Sequence, residues 1–420
     1  MITATLFLVF AVITILGMPI ALALVGGGMA AIVAGDLMPL FTSVQKMFSS
    51  VDSFTLAAIP FFMLAGALMS SGGISRRLID FANAAVGWMP GGLGVVTIFS
   101  CMLFGCLCGS PTATVAAIGA VMVPALEQGG YSRKFALSTI AAAGMLGTII
   151  PPSTVMITYC SATGVSVGSM FMAGIVPGIT LGALMIAFAI FYGVKNRIPR
   201  TKFNIRKFLS ASYHAIGAIF MPIIILGGIY GGITAPTEAG AIAVVYALFV
   251  EVFITRSMTR KLFFEIIKSS VRINAAIFLV VASATALGQI MMYYNLSAAV
   301  LDTIMGISTN KVVIMALILV VLLILGTFLE AAAIIMIVTP LLLPVINAIG
   351  VDPVHFGIIM LTSFAVGGQT PPVGMTLFVG ASIAKISIER LSIASIPYIL
   401  TLVVMLVIIA FVPQLSLCLI

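Results

Sequence analysis

GSPTATVAAIGAVMVPAL (109–126) and GMLGTIIPPSTV (144–155) decide how this chain folds, because their punctuation recurs. The second copy reads GTFLEAAAIIMIVTPLLLP (326–344) and VGGQTPPVG (366–374). In each copy a Gly stands four residues before a Pro-Pro pair, Gly147 before Pro151 and Gly367 before Pro371. In each, a further Pro, Pro177 or Pro397, follows 26 residues after the first proline of that pair. The opening Gly-hydroxyl pair, Gly109-Ser110 or Gly326-Thr327, precedes Pro-Pro by 42 and 45 residues. Matched offsets of this kind are the trace of a duplication, and repeats decide a fold before its elements do.

Composition names the solvent. Of 420 residues, 62% are hydrophobic and 7% charged, against about 25% charged in soluble domains. This is a polytopic all-α membrane protein. The first 25 residues carry no basic n-region and no small-residue cleavage site, so they read as a span and not a signal peptide. A net charge of +8 raises the question of nucleic acid. The basic residues, however, collect in short loops between apolar runs, as membrane topology requires. Cys101, Cys106, Cys108, Cys160 and Cys418 sit in apolar surroundings with no histidine nearby, and read as packing residues.

Runs of about 20 apolar residues cross a bilayer as helices. They fall near 3–25, 27–47, 54–71, 134–160, 170–194, 214–231, 236–255, 273–294, 354–385 and 393–413, with 134–160 and 354–385 broken at Pro-Pro. Segments 93–128 and 312–348 are apolar but interrupted by the Gly-hydroxyl pairs, and each half is short for a span. They read as re-entrant hairpins, whose tips survive only inside protein or facing water. With the N-terminus outside, 17 of the 19 Lys and Arg residues fall inside, including Arg200 and Lys385; Lys46 and Lys311 fall outside. The hairpins then enter from opposite faces. This predicts two inverted-topology repeats, 1–210 and 211–420, joined through a basic loop at 195–207. Segments 93–160 and 312–385 would form a bundle that moves against a scaffold of the remaining spans.

Paired mid-membrane breaks are the best sequence pointer to a transport site. Freed carbonyls and hydroxyls suit a hard cation such as Na⁺, and helix N-termini favour an anion. Ser110, Thr112 and Thr114 lie at the first tip, with Gly147-Thr148 and Ser153-Thr154 around the first break. Thr327 lies at the second tip, with Gly367-Gly368-Gln369-Thr370 around the second break. Glu330 stands three residues after Thr327, where it either helps to hold a cation or caps the following helix. Glu238 reads as a helix cap, His214 and His355 as residues at span ends, and Trp88 as an interfacial anchor.

GGITAPTEAG (231–240), GSPTATVAAIGAVMVPAL, GTIIPPS and GGQTPPVG, in order along essentially the whole chain, resemble the large membrane subunit of tripartite ATP-independent periplasmic (TRAP) transporters. That resemblance implies an elevator-type, Na⁺-driven importer of organic acids in the bacterial inner membrane. It implies two partners: a small four-helix membrane subunit on a separate chain, and a periplasmic binding protein that delivers substrate. The same resemblance implies Na⁺ as the coupling ion, with no cofactor, and Na⁺ sites where tips meet breaks. The first draws on Ser110, Thr112, Gly147, Thr148 and Pro151; the second on Gly326, Thr327, Glu330, Gly367, Gln369 and Thr370. Substrate then lies between the tips, near Ser110, Pro111, Ser153, Thr154, Thr327 and Pro372. Sialic acid is the first expectation, with a C4-dicarboxylate or another carboxylate as the alternative.

Other classes fit less well. A rhomboid-like protease needs a Gly-x-Ser-Gly nucleophile and a mid-span histidine, and an aspartyl protease needs paired intramembrane Asp residues; the chain has neither. A channel also uses broken helices, and only saturable, gradient-driven uptake separates it from a carrier.

Overall fold

Proline and glycine place the helix boundaries here, and the apolar runs between them do the rest. The computed structural model describes residues 2–36, 38–71, 73–199, 201–384 and 386–420; the expectations for Arg200 and Lys385 lie outside the described residues. The first half runs α1 (Ile2–Ile15), α2 (Ile20–Gly35), α3 (Leu40–Val51), α4 (Ala58–Ser71) and α5 (Ile74–Val86). The first hairpin follows as α6 (Gly92–Cys108) and α7 (Pro111–Gln128). The broken helix is α8 (Arg133–Gly144), α9 (Leu146–Ile149) and α10 (Thr154–Thr163), and α11 (Val167–Lys195) closes the half.

The second half opens with α12 (Ile205–Tyr230), α13 (Pro236–Phe249) continued by a π-turn at Val250–Ile254, and α14 (Arg260–Tyr293). It continues with α15 (Leu296–Ile307) and a hairpin of α16 (Lys311–Phe328) and α17 (Ala331–Ala348). A broken pair, α18 (Pro353–Gly367) and α19 (Met375–Ala384), leads to α20 (Ile388–Phe411) and the short α21 (Gln414–Leu417). Among the described residues, eight helices are long and apolar enough to span a membrane, counting α8 to α10 as one. The chain is a multi-pass, all-helical membrane protein.

The two halves pack on each other at several interfaces. α4 packs on α13 and α2 on α14; α8 packs on α20 and α11 on α18. The first hairpin lays α7 on α19, past the second break, and the second lays α17 on α10, past the first. Helices α8 to α10 are almost wholly enclosed, whereas α11, α12 and α20 each expose a broad apolar face. The core therefore sits around the breaks.

Several expected boundaries move. In place of spans 3–25 and 27–47 there are three shorter helices, because Gly17 turns at φ +78° and Pro19, which lacks an N–H, starts α2. Helix α3 is amphipathic, with Leu40, Val44, Met47, Phe48 and Val51 on one face. Helix α14 begins 13 residues before the expected 273, since Leu262, Phe263, Ile266 and Ile267 give its charged start an apolar stripe. For the same reason α12 begins at Ile205 instead of 214, and the amphipathic α5 stood outside every expected span. The second tip is displaced as well: α16 runs through Gly326 and Thr327, and the non-helical residues are Leu329 and Glu330.

Candidate binding site between two hairpin tips

At the first tip Gly109 adopts φ +56°, which a side chain disfavours, and its N–H closes α6 onto Gly105 at 2.8 Å. Ser110 then extends, and Pro111 is pre-set for the first turn of α7. Ser110 Oγ accepts from Ala113 N at 3.5 Å and lies 3.3 Å from Thr112 Oγ1; Thr114 Oγ1 donates to the Ser110 carbonyl at 2.9 Å. This tip lies directly on the break of its own half. A Cβ at Gly109 would stand 2.8 Å from the Pro152 oxygen, and Thr154 Oγ1 donates to the Gly109 carbonyl at 3.2 Å. One turn back, a Cβ at Gly105 would stand 2.9 Å from the Cα of Gly147.

The first break is sealed. Residues 147–154 are all buried, and the peptide between Pro151 and Pro152 is cis. The Thr148 hydroxyl donates back to the Met145 carbonyl at 2.7 Å. Ser153, the residue preceding α10, is 1% exposed, and its hydroxyl has no protein partner among the described residues.

The second tip is built on the same close glycine crossing. A Cβ at Gly367 would stand 2.6 Å from the Gly326 Cα. Gly326 is therefore the counterpart of Gly105, not of Gly109. It is a packing glycine, and this is why the turn comes three residues later than the sequence suggested. The Thr327 hydroxyl donates to the Ile324 carbonyl at 2.8 Å, and its own carbonyl accepts from Val373 N at 3.4 Å. Glu330 occupies the N-cap position of α17 but makes no side-chain cap bond, so the capping alternative does not hold.

The second break is longer, residues 368–374, with a second cis peptide at Pro371–Pro372. Pro371, Pro372 and Val373 reach the surface, but Gln369 is completely buried. Oriented to pair both ends of its amide, Gln369 donates through Nε2 to the Ala141 carbonyl at 2.9 Å and to Thr376 Oγ1 at 2.8 Å. Its Oε1 accepts from Ala142 N at 3.2 Å. Thr376 Oγ1 in turn donates to the Gly368 carbonyl at 3.1 Å. Gln369 is thus a strut tying the second break to α8. The Thr370 hydroxyl is spent on the Val366 carbonyl at 2.6 Å.

Both tips and both breaks converge on one cavity of about 130 Å³. Of the expected site residues, Ser110, Pro111, Thr112, Thr148, Thr154, Gly326 and Glu330 line it. Gly147, Pro151, Ser153, Thr327, Gly367, Gln369, Thr370 and Pro372 do not; they form the shell behind it or, at Pro372, face outward. Sequence reasoning missed the apolar wall: Met145, Val155, Leu329, Phe364 and Met375 from the broken elements, and Met63, Ile273 and Ile277 from α4 and α14. No periodicity marks these residues as lining; only the long-range packing does.

The chemistry of the cavity follows from the helix ends. Lining residues Thr112, Thr154, Ala331 and Met375 each lie in the first turn of a helix, α7, α10, α17 and α19. Four positive helix ends favour an anion. The C-terminal ends of α6, α9, α16 and α18 bring carbonyl oxygens to the same two junctions, where a hard cation is suited. Glu330 is the one charged side chain lining the space, and no Lys or Arg reaches it among the described residues. Nor do those residues contain a cluster of three or more His, Cys, Asp or Glu side chains able to hold a metal.

Elsewhere Glu238 accepts from the Ala235 N–H at 2.8 Å, the cap expected of it. Trp88 is half-exposed and its indole N–H donates to the Ala85 carbonyl at 2.8 Å. His214 lies within α12, its ring bonded to the Ser210 carbonyl, whereas His355 is buried at the start of α18. Cys101, Cys108 and Cys160 are buried free thiols, Cys106 is partly buried and Cys418 exposed.

Comparison with known proteins points one way. The family model described as "Tripartite ATP-independent periplasmic transporter, DctM component" matches residues 7–415. The chain is 41% identical over 412 residues to the isethionate TRAP transporter permease protein DctMQ of Oleidesulfovibrio alaskensis, covering 97% of this chain and 65% of that one. It is 38% identical over 375 residues to the C4-dicarboxylate TRAP transporter large permease protein DctM of Pseudomonas aeruginosa, covering 89% and 88%. It is 33% identical over 404 residues to the sialic acid TRAP transporter large permease protein SiaM of Vibrio cholerae, covering 96% and 95%. These relatives are named as permeases, not enzymes. Among solved structures, the Alcanivorax borkumensis YdaH transporter aligns with a TM-score of 0.60 over 88% of each chain at 14% identity, a likeness of fold.

Proposed function

Since the chain belongs to the DctM-component family of tripartite ATP-independent periplasmic transporters, we propose that it imports a small organic anion by coupling to Na⁺. The observation that carries this is the convergence of four helix N-termini on a cavity whose one charged lining group, among the described residues, is the Glu330 carboxylate. Such a site attracts an anion through backbone N–H groups, and needs cations to offset both that anion and Glu330. Na⁺ meets the need at the two tip–break junctions, held by carbonyls and by hydroxyls such as those of Ser110 and Thr112 at the first and by Glu330 at the second.

Size favours a small substrate. The cavity between the tips is about 130 Å³. A C4-dicarboxylate or a shorter sulfonate suits this better than sialic acid. The fold supplies a transport route. Each half carries a hairpin, then a broken helix, then a long closing helix, and the halves pack on each other, as two inverted repeats would. Segments 93–160 and 312–385 then move as a unit against the remaining helices, in elevator fashion. A separate small membrane subunit contacts the scaffold, and a periplasmic binding protein delivers the anion. The chain lies in the inner membrane with both termini in the periplasm.

The test is uptake into proteoliposomes containing the chain, its small subunit and its binding protein. Isethionate, succinate and sialic acid are offered with and without an inward Na⁺ gradient. Saturable, gradient-dependent uptake of one of the two smaller acids is expected. Uptake of sialic acid alone would overturn the size assignment, and uptake indifferent to Na⁺ would overturn the coupling. On the intact chain with its native cysteines replaced, a cysteine at 311 should react from outside and one at 202 only after permeabilisation. The reverse pattern would overturn the topology.

A further inference from the structure

A second cavity, of about 640 Å³ and sharing no lining residue with the first, lies between α5 and the segment that links the two halves. Arg77, Lys202, Arg206 and Lys207 line it, against one carboxylate, Asp80. Among the described residues none of these four cations forms an ion pair with a carboxylate of the chain. Arg77 is engaged only weakly, its Nη1 donating to the His214 carbonyl at 3.5 Å. Four basic side chains against one carboxylate leave the recess with net positive charge, which calls for an anion supplied from outside the chain.

The walls say what kind. Phe203 is half-exposed and meets Trp88 edge-on at 6.3 Å between ring centroids. The Trp88 indole N–H is already satisfied, which leaves an aromatic lip of the sort that sits at headgroup level. From this lip an unpartnered stripe runs up α12 through Ile205, Leu209, Tyr213, Ile216 and Phe220, all exposed and spaced three or four residues apart. A basic recess continuous with an apolar stripe matches one amphiphile. Basic pockets beside membrane helices recognise acidic lipid headgroups.

We propose that the recess between α5 and the inter-half linker binds the phosphodiester headgroup of an anionic phospholipid, with its acyl chains lying along the exposed stripe of α12. The lipid would pin the linker to α5, and so join the scaffold elements of the two halves.

The chain, purified with its membrane partner and stripped of lipid, is tested by native mass spectrometry against phosphatidylglycerol and phosphatidylcholine of matched chain length. Retention of phosphatidylglycerol should exceed that of phosphatidylcholine by at least about tenfold. Lys202→Gln combined with Arg206→Gln and Lys207→Gln should abolish the preference, and Lys202→Arg with Lys207→Arg should keep it. Thermal unfolding confirms that each variant folds. Soluble glycerol phosphate should not displace the lipid. Equal retention of both lipids, an unchanged preference in the triple-Gln variant, or displacement by glycerol phosphate would overturn the proposal. So would loss of the partner subunit from that variant with lipid preference intact, since the recess would then be a protein contact.

Discussion

At the first break every residue from Gly147 to Thr154 is enclosed, and the hairpin tip rests on it backbone to backbone; at the second, Pro371 to Val373 reach the surface while a buried glutamine reaches back to α8. Both breaks share the close glycine crossing, Gly105 on Gly147 and Gly326 on Gly367. The common feature sets how near each hairpin comes to its break. The difference lies in what holds the break: sterics and burial in one half, a hydrogen-bonded strut in the other. The second break has more exposed backbone and relies on side-chain bonds that can be removed singly.

The largest effect should separate the two crossings. In Gly367→Ala the new methyl meets backbone atoms of Gly326, which cannot rotate away, whereas in Gly147→Ala the nearest atom is the Gly105 Cα at 3.4 Å. Over-packing costs about 1–3 kcal/mol. Gly367→Ala should therefore lower the melting temperature and stop uptake, and Gly147→Ala should retain both. Equal losses would mean that the crossings are equivalent. Gln369→Leu comes next. It removes the amide's bonds to the Ala141 carbonyl, the Ala142 N–H and the Thr376 hydroxyl and should destabilise by about 1–3 kcal/mol. Ile149→Leu, at the matching place in the sealed break, should cost less than about 1.5 kcal/mol. Thermal unfolding of the two variants decides between strut and burial.

A third comparison concerns the tips. Ser110 lines the cavity, whereas the Thr327 hydroxyl is committed to Ile324 outside it. A lost ligand worth about 1.4 kcal/mol corresponds to roughly tenfold in affinity. Ser110→Ala should raise the Na⁺ half-saturation of uptake by about that factor, and Glu330→Gln should do so at least as strongly; Thr327→Ala should stay within about twofold. A larger effect at Thr327 than at Ser110 would reverse the assignment. The smallest expected change is at Ser153, whose buried hydroxyl has no protein partner. Ser153→Ala should alter stability by less than about 0.5 kcal/mol. A marked loss on unfolding would reveal a bonded partner for that hydroxyl.

Much of this was legible in the sequence because Gly and Pro act locally. The first hairpin, both Pro-Pro breaks and seven of the cavity-lining residues follow from Gly109, Pro111, Pro151, Pro371 and their neighbours. The second tip was misplaced for a physical reason: Gly326 marks a close helix crossing, and a glycine that makes room looks in sequence like a glycine that turns. The amphipathic α5 was passed over, and α3 was merged into the run 27–47, because a search for uninterrupted apolar runs does not see a stripe. Met63, Ile273 and Ile277 were beyond reach, since their place in the wall depends on α4 and α14 arriving there from different halves.

The central claim is that the cation and the anion occupy the one cavity between the tips, and a thiol placed in its wall tests this most directly. In a chain whose five native cysteines are replaced, Val155→Cys puts a thiol on the cavity wall without removing a proposed ligand, and Phe378→Cys puts one on an exposed face of α19 as a control. The rate of modification by a small membrane-permeant thiol reagent is measured in Na⁺ or K⁺, with and without the transported acid. Residue 155 should be slowed by Na⁺, slowed further by Na⁺ with the acid, and left unchanged by K⁺, while residue 378 stays constant. Modification of residue 155 at one rate under all four conditions would contradict the account, because neither ligand would then occupy the cavity.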